Sequence, residues 1–369
     1  MNNAADKKRL NFVDMMKGIA TIIVVCYHLL APSAFKNGFI DHMLFPLLAA
    51  FFMFAGYFHK PGKRSFGENV KIRAKALLIP FVKYGVLFWI IGSVYLILSK
   101  QETVFEALCC LRNFFAGCIW NRVIQGWFGW NYYKLGSRYM FLAGFWFLPA
   151  LFFATVLFLP IADRTTKSKG KTCAAVLLLF ALTAVLRAFK ADLPYNLQIV
   201  PFWAAFMLLG LFAREQQLFE LPVLSGGKGW ISGTAVLAAG LVMAFLREPV
   251  LNTFRGYFPD PEVISMILSI IFSLMVIWGL TMVCRLVEEA GIRVKELAWI
   301  GSNSMTIYLF HYFFAWGISI ISGFSLRYAS PVPADVVWKS ALVALGAFLL
   351  SVLYAVIVNR PENKQSEGK

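Results

Sequence analysis

The sequence predicts an all-α, polytopic integral membrane protein of about ten transmembrane helices, with N- and C-termini cytoplasmic. Three observations carry this expectation. Hydrophobic residues make up 59% of the 369-residue chain and charged residues only 15%, too few to cover a water-facing surface of that size. The apolar residues gather in runs of about 17 to 25, the length a helix needs to cross a hydrocarbon core of roughly 30 Å. The basic residues behind the formal charge of +16 lie between those runs, where they orient a membrane protein. They form no single basic face that would engage nucleic acid, so no nucleic-acid partner is expected.

Turn and charge signals divide the apolar runs into spans at 12–31, 39–58, 76–98, 143–161, 172–189, 197–213, 230–246, 264–285, 299–322 and 336–358. The first follows Lys7, Lys8 and Arg9 as a secretory leader would. Asp14, Lys17 and His28 in or beside its apolar stretch, with no A-x-A pattern at once after it, mark it as a retained span. An inner loop with Lys60, Lys63, Arg64, Lys71, Arg73 and Lys75 joins the second span to the third.

The connection over 99–142 is long and aromatic, with Trp120, Trp127, Trp130, Tyr132, Tyr133 and Tyr139, and is expected on the outer side. Its rings either sit at the headgroup level or form a sugar-stacking lid. Later inner loops carry Arg164, Lys167, Lys169 and Lys171, then Arg285, Arg293 and Lys295, against poorer outer loops. Gly226-Gly227-Lys228-Gly229 reads as a flexible turn, since no Ser or Thr follows the lysine to complete a phosphate loop. Asp260-Pro261-Glu262 reads as a rigid outer turn rather than a cation site.

The six cysteines show no zinc-like spacing and read as packing residues, with a pairing of Cys109 or Cys110 to Cys118 left open for an oxidising compartment. No metal site is expected. With no internal repeat, residues 1–360 form a single transmembrane domain and 361–369 a disordered cytoplasmic tail.

Ionisable side chains inside a bilayer are costly unless paired or hydrated, so each one in a span is a candidate for function. Asp14, Lys17 and His28, spaced by 3 and 11 residues, fall on one helix face at about 100° per residue. Lys17 and His28 are roughly 16 Å apart along the axis and can line one cavity from its mouth inward. The bland alternative makes Asp14 and Lys17 interfacial anchors and His28 a hydrogen-bonded core histidine. A second mid-membrane histidine, His311, lies in IGSNSMTIYLFHYFF, whose first half is made polar by Ser302, Asn303, Ser304, Thr306 and Tyr308. Those polar residues also suit helix-to-helix bonding. The cations from Lys60 to Lys75 serve either ordinary positive-inside orientation or the phosphates of a donor.

Four blocks in this order resemble the acyltransferase-3 family of integral membrane O-acyltransferases, and more narrowly its branch similar to fucose 4-O-acetylases. They are Asp14-x-x-Lys17-Gly18 followed by His28, FFMFAGYF at 51–58, FWFLPALFF from Phe145 to Phe153, and IGSNSMTIYLFH ending at His311. Ala55 stands where the family usually has serine, and Lys71, Arg73 and Lys75 replace a clean R-x-x-R pair.

The resemblance implies transfer of an acyl group, most often acetyl, from acyl-CoA (acetyl-CoA) to a hydroxyl of a cell-envelope or exported carbohydrate, in the bacterial cytoplasmic membrane. The catalytic candidates are His28 as general base, His311, and Asp14 orienting Lys17. Lys17, Arg73 and Lys75 are the candidates for the donor phosphates, and Trp146 and Asn303 for the acceptor. A covalent acyl-histidine stays open beside direct transfer. The competing readings are a transporter or flippase of a lipid-linked sugar, which the lack of internal repeats disfavours, and the membrane domain of a sensor.

Overall fold

The computed structural model describes residues 11–30, 39–116, 139–189, 191, 193–219, 226–254, 261–292, 294–324 and 334–359. Among them all regular structure is helical, as expected. The helices are α1 (Asn11–Leu29), α2 (Phe39–Tyr57), α3 (Phe66–Leu98), α4 (Val104–Phe115), α5 (Met140–Ala143), α6 (Phe147–Thr165), α7 (Lys169–Ala188) and α8 (Val200–Glu215). They continue as α9 (Gly226–Phe254), α10 (Pro261–Glu289), α11 (Lys295–Ser302), α12 (Ser304–Ser322) and α13 (Ala334–Val358). Short 3₁₀ turns at Gly144–Trp146 and Pro194–Ile199 lead into α6 and α8.

Among the described residues nine helices are long and apolar enough to cross a membrane. The apolar stretch of α2 is shorter, Met43–Tyr57. Residues 117–138, which hold most of the aromatic connection and Cys118, lie outside the described residues, as do Asp260 and the tail at 361–369.

The sequence reading is corrected in several places, each with a local cause. The third span begins ten residues earlier than 76, at Phe66, because Ser65 and Glu68 form a capping box. The Glu68 amide donates to Ser65 Oγ at 3.3 Å, and the Ser65 amide donates to the Glu68 carboxylate at 2.9 Å. Lys71, Arg73 and Lys75 are therefore helical rather than in a loop. A second capping box, Thr103 with Glu106, starts α4 inside the connection read as a loop. Gly226 to Gly229 belong to the first turn of α9, not to a flexible turn. The ninth span is broken at Asn303, which ends α11 and begins α12.

The helix α1 lies inside the bundle, packed by α2, α10, α11, α12 and α13. In contrast α7, α9 and α13 keep most of their surface outward, as lipid-facing helices do. Two glycines explain how closely the inner helices approach. A Cβ on Gly18 would run into the backbone carbonyl of Leu297, and one on Gly56 into that of Met207. Gly18 thus seats α11 against α1, and Gly56 seats α8 against α2, where the Phe52 and Trp203 rings stack 4.4 Å apart.

Candidate active site

Each of those glycines is followed or preceded by a residue facing a common cavity of about 230 Å³. Lys17, just before Gly18, lines it together with Thr21, Val24 and Val25 one to two turns further along α1. Ala55, just before Gly56, lines it with Leu48, Phe51, Phe54 and Phe58. The rest of the wall is Arg73 of α3, Phe147 and Leu151 of α6, and Ser304, Met305 and Tyr308 of α12. All four blocks therefore converge on one space, most of whose wall is apolar.

Two cations line it. Lys17 Nζ lies 5.7 Å from the centre of the Phe58 ring. Arg73 is half-buried and faces inward, while Lys71 and Lys75 line a separate groove on the outward side of α3. Residues two apart on a helix point about 200° away from each other, which accounts for the split. The structure thus puts Arg73 and Lys17 on one cavity and leaves Lys75 on another surface.

The two histidines meet outside its lining, one turn past Val24 on α1. Their rings are stacked, 5.5 Å between centroids with 24° between planes. The Tyr312 ring is 4.7 Å from that of His28 and 4.5 Å from that of His311, and the Tyr27 ring is 5.2 Å from His28. Tyr308 stands between cavity and histidines: it lines the former, and its ring is 5.8 Å from His311. Its hydroxyl donates to the Gly144 carbonyl in the 3₁₀ turn ahead of α6.

His311 is fully buried. Its Nδ1 lies 2.6 Å from the Tyr308 carbonyl oxygen, which can only accept, so Nδ1 carries a proton, and in the neutral form of the ring Nε2 is the free acceptor. Nε2 has no hydrogen-bond partner among the described residues. His28 is the more accessible of the two rings. The arrangement sets two imidazoles among aromatic rings, with Tyr308 between them and an apolar cavity that Lys17 and Arg73 line.

The remaining candidates lie elsewhere. Asp14 is buried and borders a second cavity of about 630 Å³ with Glu288, Lys295 and Ser302, rather than the cavity of Lys17. Trp146 is buried at the end of its 3₁₀ turn, 6.1 Å from the Phe147 ring, and is not among the cavity-lining residues. Asn303 serves the helix break: its amide nitrogen donates to the Trp299 carbonyl at 2.9 Å, and its Oδ1 accepts from Asn359 at 2.7 Å. Its neighbour Ser304 is the one that reaches the cavity. Tyr312 was not singled out in the sequence, although its place next to His311 is a usable signal, and Tyr308 was read only as one polar residue among several.

No curated protein and no solved structure matches the chain. The model of the acyltransferase-3 family, an acyltransferase domain, matches residues 10–360, and with a bundle of apolar helices whose four motif blocks close on one cavity, the chain belongs to that family of membrane acyltransferases.

Proposed function

We propose that this protein transfers an acyl group, acetyl by default, from acyl-CoA to a hydroxyl of a cell-envelope or exported carbohydrate in the bacterial cytoplasmic membrane. The observation that carries this reading is the apolar cavity that Lys17 and Arg73 line together with Tyr308, whose ring packs against the paired histidines. The two cations hold the donor's phosphates at the mouth, where the positive loops are expected to face the cytoplasm. The roughly 16 Å of α1 between Lys17 and His28 leaves room for an extended donor arm, and the apolar wall suits such an arm better than it suits a polar sugar.

His28 acts as general base. It takes the proton from the acceptor hydroxyl as that oxygen bonds to the thioester carbonyl carbon. When the carbon–sulfur bond breaks, the imidazolium returns the proton to the leaving thiolate. The rings of Tyr312 and His311, tilted and stacked against His28, lie where their π-systems can stabilise the transient imidazolium. Asn303 acts indirectly, by fixing the start of α12, and Asp14 lies at the close approach of α1 to α11, where its backbone meets Gly301.

The test is hydrolysis of acetyl-CoA by the full chain in nanodiscs, with and without cell-envelope glycans. Glycan-stimulated release of free thiol that vanishes in His28→Ala, with unchanged elution and melting, is the expected result. Folded wild-type protein that neither binds nor turns over any acyl-CoA would sink the proposal and favour a transporter of lipid-linked sugar.

A further inference from the structure

The outward side of α3 carries a second cationic feature that acyl transfer does not use. Lys71, Lys75 and Lys83 line a groove of about 490 Å³ whose floor is Ala74, Leu78, Ile79 and Val82. All three lysines are exposed, as are Ile79 and Val82. Further along the helix Leu87, Ile90 and Val94 are exposed as well, so much of this side of α3 meets lipid.

Lys83 is the anomaly. It lies eight residues beyond Lys75, roughly 12 Å deeper along the axis, within the apolar part of the span. A lysine exposed to hydrocarbon is costly unless its ammonium reaches the interface or a counter-charge. Side chains on a helix lean toward its N-terminus, which carries the Lys83 ammonium back toward Lys75. Its nearest ring is Tyr84, 5.3 Å away, and no carboxylate of the described residues pairs with any of the three lysines. Three ammonium groups thus border one apolar groove at a membrane-facing surface, and that pattern is complementary to a phosphate carrying fatty acyl chains.

We propose that this groove binds an anionic glycerophospholipid, its phosphate held by Lys71, Lys75 and Lys83 and one acyl chain laid along Leu78, Ile79 and Val82. The charge complementarity selects this occupant over a zwitterionic lipid, whose own ammonium would face three cations.

Native mass spectrometry of the full chain released from detergent tests it, with phosphatidylglycerol or phosphatidylcholine added at equal concentration. Wild type is expected to retain phosphatidylglycerol at least fivefold more than phosphatidylcholine. The triple variant Lys71→Gln, Lys75→Gln, Lys83→Gln is expected to lose that preference. The control Lys169→Gln, Lys171→Gln, which removes two cations at the start of α7, is expected to keep it. Should the triple variant fail to fold, Ile79→Trp, which fills the groove and leaves every charge in place, must displace the bound lipid. Equal retention of the two lipids overturns the proposal. So does equal loss in the α7 control, which would reduce the effect to net charge. A cross-link from Lys75 to a second copy of the chain, with the groove covered, overturns it as well.

Discussion

Arg73 and Lys75 carry the same charge, sit two residues apart on α3, and should behave differently when that charge is removed. Arg73→Gln deletes a cation from the cavity wall. A hydrogen bond to a charged group contributes about 1.5 to 3 kcal/mol. With tenfold for every 1.4 kcal/mol, its loss should raise the KM for acetyl-CoA roughly 10- to 150-fold. Lys75→Gln removes its charge from the opposite side of the helix. Across a helix diameter of about 10 Å in water, one charge pair is worth only about 0.4 kcal/mol before salt screening. Screening at physiological ionic strength reduces this further, so the KM should change by less than about threefold. The assay is initial rates of thiol release in nanodiscs at saturating acceptor, with donor concentration varied and both variants checked for equal melting. If the two substitutions raise KM alike, the positive end of α3 acts as a diffuse field, and the assignment of Arg73 as a direct donor ligand is wrong.

His28→Ala should lower kcat by about two to four orders of magnitude, the usual worth of a general base, with melting unchanged. His311→Phe keeps a flat ring against His28 and should retain more activity than His311→Ala; equal loss in the two would mean that Nε2 itself takes part. Gly301→Ala places a methyl group against the Asp14 backbone and should destabilise the protein by about 1 to 3 kcal/mol, read as a lower melting temperature, while Gly317→Ala, which meets nothing, should not. His59, in the connection after α2, is buried, and its pKa is lowered from the ordinary value near 6.5, first by burial and then by Arg73 and Arg214, against the opposing pull of Asp163. Below pH 6.5 the unfolded chain takes up the proton before the native one, so this contribution to stability is complete above that pH and is lost as pH falls toward the folded value. Wild type should therefore lose more melting temperature between pH 7.5 and 5.5 than His59→Gln, and parallel curves would remove His59 as the cause.

Much of the fold was legible because hydropathy over a helix length reports the bilayer directly, without any knowledge of packing. The motif blocks were legible as a candidate site for a related reason: Lys17, His28 and His311 are costly in an apolar span, and the structure places them in or beside one cavity. What the sequence did not disclose is which side of each helix turns inward. Asp14 lies three residues from Lys17, near enough in angle to be assigned the same face, yet α11 closes over that part of α1 and leaves the two on different cavities. Lys75 was grouped with Arg73 by charge alone, although two-residue spacing separates side chains on a helix. Asn303 read as a polar residue near chemistry, and the bond from Asn359 that makes it a structural joint comes from a residue 56 positions away. The glycines of GGKG gave a turn signal that the packed α9 overrides.

The position of α1 at the centre of the bundle also sets an order of events in biosynthesis. It leaves the ribosome early, carrying Asp14, Lys17 and His28, but most of the helices that surround it, α10 to α13, begin more than 200 residues later at Pro261. At about 5 to 20 residues per second that interval is roughly 10 to 45 s. Throughout it, a helix carrying three ionisable side chains has only α2 of its final neighbours in place. Ribosome-stalled chains ending before Pro261 should accordingly leave a cysteine placed at Ala20, a position buried in the finished bundle, open to a thiol-reactive probe and the completed chain should shield it, so that the site is assembled by the arrival of the later helices rather than by the insertion of α1.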